Sequence, residues 1–432
     1  MNKRASFGSK IGAILVAAGS AIGLGSIWRF PYMTGENGGG AFLLVYLLSV
    51  LVVGIPVMLA EFAIGTYTRK SPVKAYNQLS PGWKWLGYNS VIVSLLISGF
   101  YYIVAGWSLE YFISSADGLL YSVNDFHQHF AAFTSSWREP LYTVLFVLLT
   151  HTIVVMGVQE GLERISKIVM PVLLVMLVVL VIHSATMTGA AEGYKFLFKP
   201  DFSKAFSVKT IVSAIGQAFF SLSIGLGCMI AYSSYFKEGT NLTKTSFSVS
   251  LMTFFVAMLS GMVIFPAVFS VKGLEPTAGP TLLFETMPFI FAEMPAPALW
   301  SSIFFLLVVL AALTSTISFH EVLTQYLQEN HNIARRNAAR ITSLATITLS
   351  VVCLKWGFFF DAFDAITADV LMPVGGLLTS IFAGWVLDRE IFRSEISNHG
   401  TLRAKLFPLL IITLKWVAPI LLSIVFVWNL AF

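Results

Sequence analysis

The sequence predicts an all-helical integral membrane protein with eleven transmembrane helices. Of its 432 residues, 56% are hydrophobic and only 11% charged, and the mean hydropathy is +0.80. Soluble domains carry about a quarter charged residues and less than half apolar ones. The apolar residues fall into runs of span length, a bilayer crossing needing about 20. No run alternates as a barrel strand would, so the backbone must satisfy its hydrogen bonds within helices. These observations exclude an aqueous enzyme, a secreted disulfide module and a disordered scaffold. The net charge of +5 is not a nucleic-acid footprint, because no soluble basic face carries it.

Taken in order, the expected spans are 11–33, 40–67, 86–114, 141–157, 168–187, 210–236, 244–271, 297–327, 338–356, 366–388 and 406–430. The first follows Lys3, Arg4 and Lys10 like a signal peptide. Apolar character resumes through Trp28–Tyr32, so it reads as a retained helix. Placing the N-terminus in the cytoplasm puts 18 of the 27 basic residues inside and seven outside. That bias sets the orientation, and an odd span count then puts the C-terminus outside. Loops Asp117–Pro140 and Gly189–Lys209 are long enough for structure of their own, and Gly273–Pro297, rich in proline and phenylalanine, reads as a re-entrant cap. Cys228 and Cys353 both lie in apolar stretches, which argues against a disulfide. Asn241-Leu242-Thr243 matches a glycosylation acceptor on the cytoplasmic side and is discounted.

Two spans are interrupted at their middles. The first reads Gly19-Ser20-Ala21-Ile22-Gly23-Leu24-Gly25-Ser26 and the sixth Ser221-Leu222-Ser223-Ile224-Gly225-Leu226-Gly227. Small residues in membrane helices commonly mark tight packing, and Gly19-x-x-x-Gly23 fits that reading. Glycine also weakens a helix, and an unwound turn frees carbonyls for a cation and a half-helix N-terminus for a carboxylate. The matching places of the two breaks, in helices one and six, favour unwinding at the centre of a transporter built from inverted repeats.

The segment from Gly19 through Trp28-Arg29-Phe30-Pro31-Tyr32, followed by Glu36-Asn37-Gly38-Gly39-Gly40-Ala41-Phe42, resembles the neurotransmitter:sodium symporter family. So do Pro56, Glu61-Phe62-Ala63-Ile64-Gly65, Gln217-Ala-Phe-Phe220-Ser221-Leu-Ser223 and Ala311-Ala-Leu-Thr314-Ser315-Thr316. The resemblance runs through essentially the whole chain, and eleven spans look like a prokaryotic member. It implies a LeuT-type fold in one transmembrane domain, residues 1–432. Repeats of about 11–187 and 210–390 would be followed by an additional helix at about 406–430.

The same resemblance implies a sodium site from the carbonyls of Gly19, Ile22 and Ala311 and the hydroxyls of Thr314 and Ser315. An all-oxygen cage suits a hard cation. A second sodium site is altered: Ala21 and Ser221 remain, but Ser26 and Thr253 stand where the family has asparagines. The substrate carboxylate would complete that site. At the family's chloride position this chain has Ala257, although Tyr46, Gln217 and Ser221 of that cluster are present. The implied substrate contacts are Tyr101 and the amides near Leu24 and Gly25 for a carboxylate, beside Ala21 and Ser221. Ile97, Phe220, Ser223, Leu226, Ser315 and Phe319 would receive the side chain. Gly23 replaces the aspartate of amine-binding relatives, so the expected substrate is an uncharged amino acid with a hydrophobic or aromatic side chain. The implied outer gate is Arg29 and Asp364 with Gln217, and the inner gate Arg4 and Glu329 with Ser234 and Tyr235.

The expected function is therefore sodium-coupled import of such an amino acid by alternating access across the plasma (inner) membrane. The partners are the bilayer and the small solute. A membrane sensor with the same pocket, or a symporter for another small zwitterion, are the alternatives. An enzyme is disfavoured: His320-Glu321-Val322-Leu323-Thr324 lacks the second histidine of a zinc-protease motif, and Glu61, Glu110 and Asp369 are unpaired in sequence. A channel would need repeated filter loops.

Overall fold

The computed structural model describes residues 5–123, 125–205, 207–271, 283–402, 404 and 406–431. Among these the secondary structure is helical, apart from one isolated bridge between Gly39 and Pro200. Among the described residues, nine continuous helices are long and apolar enough to cross a membrane. A tenth crossing is the bent pair Lys10–Ala21 and Gly25–Glu36, whose halves meet at 54°. The sixth expected span is in two pieces, Val208–Leu222 and Cys228–Ser233, each too short to cross by itself.

Helices two to five are Gly40–Thr68, Pro81–Ala116, Arg138–Val155 and Val158–Ser184. Helices seven to eleven are Leu242–Ser270, Pro297–His331, Arg335–Lys355, Gly357–Val386 and Phe407–Ala431. Helix ten thus begins nine residues earlier than expected and takes Asp364 into its first turns. Helix five starts with a wide π-turn, Val158–Glu163, and helix ten contains another, Ile366–Leu371. Local chemistry sets several starts. Ser9, Asp125, Ser207, Asn241 and Asp388 each cap a helix by accepting backbone N–H groups. The discounted sequon is accordingly a helix cap, with Asn241 accepting from the Lys244 N–H at 2.8 Å.

The loop 117–140 holds a helix at Phe126–Thr134, and the loop 189–209 holds one at Ala190–Phe198. Of the expected re-entrant cap, Thr286–Ala292 is helical, and 272–282 lie outside the described residues. Helices three and eight share the largest helix–helix contact, and helices four and nine pack around that pair. Helix one lies against helices five, seven and eight, so its break falls at the centre of the molecule. Cys228 and Cys353 are free and buried.

Candidate functional site

At the first break, Ile22 leaves helical geometry (φ −91°, ψ 83°), and the helix resumes at Gly25. At the second, Ser223 (φ 51°), Gly225 (φ 82°) and Gly227 (φ 75°) are left-handed, and the helix resumes at Cys228. Gly225 is required twice over: its φ is unfavourable for other residues, and a Cβ would sit 2.5 Å from the Met372 carbonyl oxygen. Side chains take up part of the freed backbone. Ser223 Oγ donates to the Ser20 carbonyl at 2.8 Å, tying one break to the other. Buried Glu61, from helix two, accepts the Gly225 N–H at 2.7 Å.

Between the breaks lies a cavity lined by Ser20, Ala21, Gly23, Gly25, Ile97, Tyr101, Phe220, Ser223, Leu226, Ser315, Phe319 and Met372. The cavity is nearly closed, with a volume of about 20 Å³, and its lining carries no aspartate, glutamate, histidine, lysine or arginine. Nine of the eleven expected substrate contacts are in that lining. The Leu24 N–H instead donates to Tyr101 Oη at 3.0 Å, and Ser221 accepts from Gln217 Nε2 at 2.8 Å. Tyr101 packs edge-on against Phe319, with ring centroids 5.2 Å apart. Ser20, on helix one, and Met372, on helix ten, were not anticipated. Ser20 belongs to the interrupted motif itself, whereas nothing local to Met372 marks it.

The residues expected to hold sodium also converge. Thr314 Oγ1 lies 2.9 Å from the Ala311 carbonyl oxygen and 3.4 Å from that of Ile22. Gly19 packs on the Thr314 side chain, and Ser315 Oγ reaches the Ser20 carbonyl at 3.4 Å. The members of the second set are buried, with Ser26 Oγ 3.4 Å from the Ala21 carbonyl. Thr253 Oγ1 bonds within its own helix, to the Val249 carbonyl at 2.9 Å. Near the chloride position, Ala257 contributes only a methyl group.

Of the residues expected to form an outer gate, Arg29 stacks over the Phe220 ring, 4.5 Å from its centroid, and faces Asp364 and Asp369. No direct ion pair joins it to either among the described residues. Gln217 Nε2 donates to the Gly25 carbonyl at 2.7 Å. Of the residues expected to form an inner gate, Arg4 lies outside the described residues. Glu329 accepts the Ser71 N–H at 2.8 Å, and Ser234 Oγ accepts from Gln325 Nε2 at 3.0 Å. Tyr235 donates to Glu321 Oε1 at 2.7 Å, and Glu321 Oε2 pairs with Arg335 at 2.5 Å. The protease-like fragment on helix eight is therefore structural in its contacts: His320 bonds Thr324 and Ser343, and Glu321 joins helices six, eight and nine.

The profile of the sodium:neurotransmitter symporter family matches residues 4–132 and 121–432. The chain belongs to this family. The sodium-dependent transporter YhdH of Bacillus subtilis (strain 168) is 35% identical over 441 residues, covering 98% of this chain and 97% of that protein. The sodium- and chloride-dependent GABA transporter 2 of Homo sapiens is 28% identical over 458 residues, covering 92% and 75%. The crystal structure of MhsT in complex with L-phenylalanine superposes with a TM-score of 0.91 at 37% identity, over 98% of this symporter and 99% of that chain. The fold of this symporter is therefore the LeuT type, and its family is one of transporters rather than enzymes.

Proposed function

We propose that the symporter couples sodium to the import of a neutral, hydrophobic or aromatic L-amino acid by alternating access. The observation that carries this reading is the uncharged cavity between the two helix breaks. Its polar groups cluster at one side, where the Tyr101 hydroxyl meets the Leu24 N–H, and Phe220, Leu226, Phe319 and Met372 supply apolar walls. A zwitterion fits that division: its carboxylate at the hydroxyl and half-helix amides, its side chain among the aromatics. MhsT, whose crystal structure holds L-phenylalanine, supports the substrate class.

In this reading one sodium occupies the cage of Gly19, Ile22, Ala311, Thr314 and Ser315, and a second rests on Ala21, Ser26, Ser221, Thr253 and the substrate carboxylate. Arg29, Gln217 and Asp364 close the outer route. Glu329, Ser234, Tyr235 and Arg4 close the inner one, toward a cytoplasmic N-terminus in the plasma membrane. The two repeats, about 11–187 and 210–390, move against each other in the cycle. Ala257 offers no hydroxyl or carboxylate to an anion site, so uptake should be indifferent to replacing chloride by gluconate.

The test is uptake of labelled neutral amino acids into proteoliposomes under an inward sodium gradient, against a potassium control. Accumulation that follows sodium, with competition led by apolar side chains, is the expected result. Binding without accumulation would refute transport.

A further inference from the structure

Residues 6–9, immediately ahead of helix one, are held by helix five and by the end of helix six with the segment that follows it. The Ser6 carbonyl accepts from Gln159 Nε2 at 2.7 Å, and the Phe7 N–H donates to the Tyr235 carbonyl at 2.9 Å. The Phe7 ring is fully buried against Tyr232, Tyr235 and Phe236. The Gly8 carbonyl accepts from Lys237 Nζ at 2.5 Å.

Glu163 closes this arrangement. It ends the π-turn that opens helix five and is only 2% exposed. Its carboxylate accepts from the Gly8 N–H, from the Ser9 N–H at 3.0 Å and from Ser9 Oγ at 2.9 Å. Lys167 Nζ pairs with it at 2.6 Å. Residue 12 must be glycine for the carboxylate to enter, since a Cβ there would lie 2.1 Å from Glu163 Oε1. Three donors at the start of one helix and a neighbouring ammonium thus converge on one buried charge. Such charge-assisted bonds are stronger than neutral ones, and the helix N-terminus adds its own positive potential.

The same half of helix one carries Gly19 and Ile22 at its far end. Swinging that half away from helix five would expose the proposed sodium cage on the N-terminal face, and it requires breaking the Glu163 cluster. We propose that Glu163 is a positioning residue that latches the N-terminal half of helix one shut, and that its release accompanies opening toward the cytoplasm. This rests on the transport reading above, since a protein that only binds would not need the release.

The experiment is hydrogen–deuterium exchange of the purified chain in nanodiscs with sodium present, comparing wild type, E163Q and E163D. In E163Q, amides of residues 5–21 should exchange about tenfold faster while helices three and eight keep their protection. E163D, which keeps the charge, should fall between E163Q and wild type. The sodium concentration for half-maximal uptake should rise with the exchange rate. K167M removes only the ammonium partner of the carboxylate and should shift the same peptide less, which keeps the test open if E163Q does not fold. Unchanged exchange in residues 5–21, or an equal rise across helices three and eight, would overturn the latch. Absence of sodium-dependent uptake in the wild-type chain would instead strike the transport reading, independently of the exchange result.

Discussion

At position 23 a side chain has nowhere to go. A Cβ there would lie 2.0 Å from Ser315 Oγ and 2.8 Å from Tyr101 Oη. The glycine therefore both removes the aspartate of amine-binding relatives and keeps the polar end of the cavity open. Overpacking typically costs about 1–3 kcal/mol, so Gly23→Ala should weaken sodium-dependent substrate binding by at least about tenfold. Equilibrium binding of a labelled amino acid would measure it, and wild-type affinity would mean that the substrate sits elsewhere. Tyr101→Phe tests the neighbouring contact. It leaves the buried Leu24 N–H without its 3.0 Å acceptor. An unsatisfied buried donor costs about 1–3 kcal/mol, so affinity should fall by roughly tenfold or more while the protein stays folded. Thr314→Ala, by contrast, should raise the sodium concentration for half-maximal uptake more than the substrate requirement. Its hydroxyl stands among the carbonyls of Ile22 and Ala311, outside the cavity lining.

The helix breaks are elements in their own right, and each depends on groups brought from elsewhere. Glu61→Ala would strip the acceptor from the Gly225 N–H in the middle of helix six. The expected outcome is a lower melting temperature together with lost substrate binding. Normal binding by E61A would show that the unwound turn holds itself. Much of this level was legible in the sequence. Glycine and serine clusters at Gly19–Ser26 and Ser221–Gly227 mark the breaks because few other sequences tolerate such backbone. Apolar run length marks the spans for the same physical reason that lipid demands it. Glu61 was visible only as a carboxylate without a sequence partner, because its partner is a backbone amide 164 residues away. Met372 was invisible altogether. Hydropathy shows that a residue is buried but not which neighbour it meets, and Met372 reaches the cavity because helix ten packs on the left-handed turn at Gly225. The π-turns were equally hidden, since one extra residue in a turn leaves an apolar run unchanged.

At the scale of the whole molecule, the proposed alternating access needs the outer route closed when the inner opens, and Arg29 is the charge proposed to do it. An arginine within a membrane helix is costly and functional by default. The family resemblance pairs it with Asp364, but in the structure that aspartate is exposed and faces Arg29 without a direct ion pair, while Arg29 lies on the face of Phe220, which also lines the cavity. The relative size of the two interactions orders three variants. A desolvated cation–π contact is worth about 2 kcal/mol, whereas a solvent-exposed ion pair is worth about 0–1 kcal/mol. Arg29→Ala should therefore abolish concentrative uptake while sodium-dependent binding and folding survive. Arg29→Lys keeps the charge but not the planar stack, so it should retain only part of the rate. Asp364→Asn should cost least. The measurement is initial uptake rate against equilibrium binding for each variant in the same proteoliposomes. If Asp364→Asn proves as damaging as Arg29→Ala, the gate closes through the carboxylate and not through the ring. Wild-type uptake by Arg29→Ala would reduce the arginine to a packing charge, and closure of the outer route would have to be sought in helices one and six themselves.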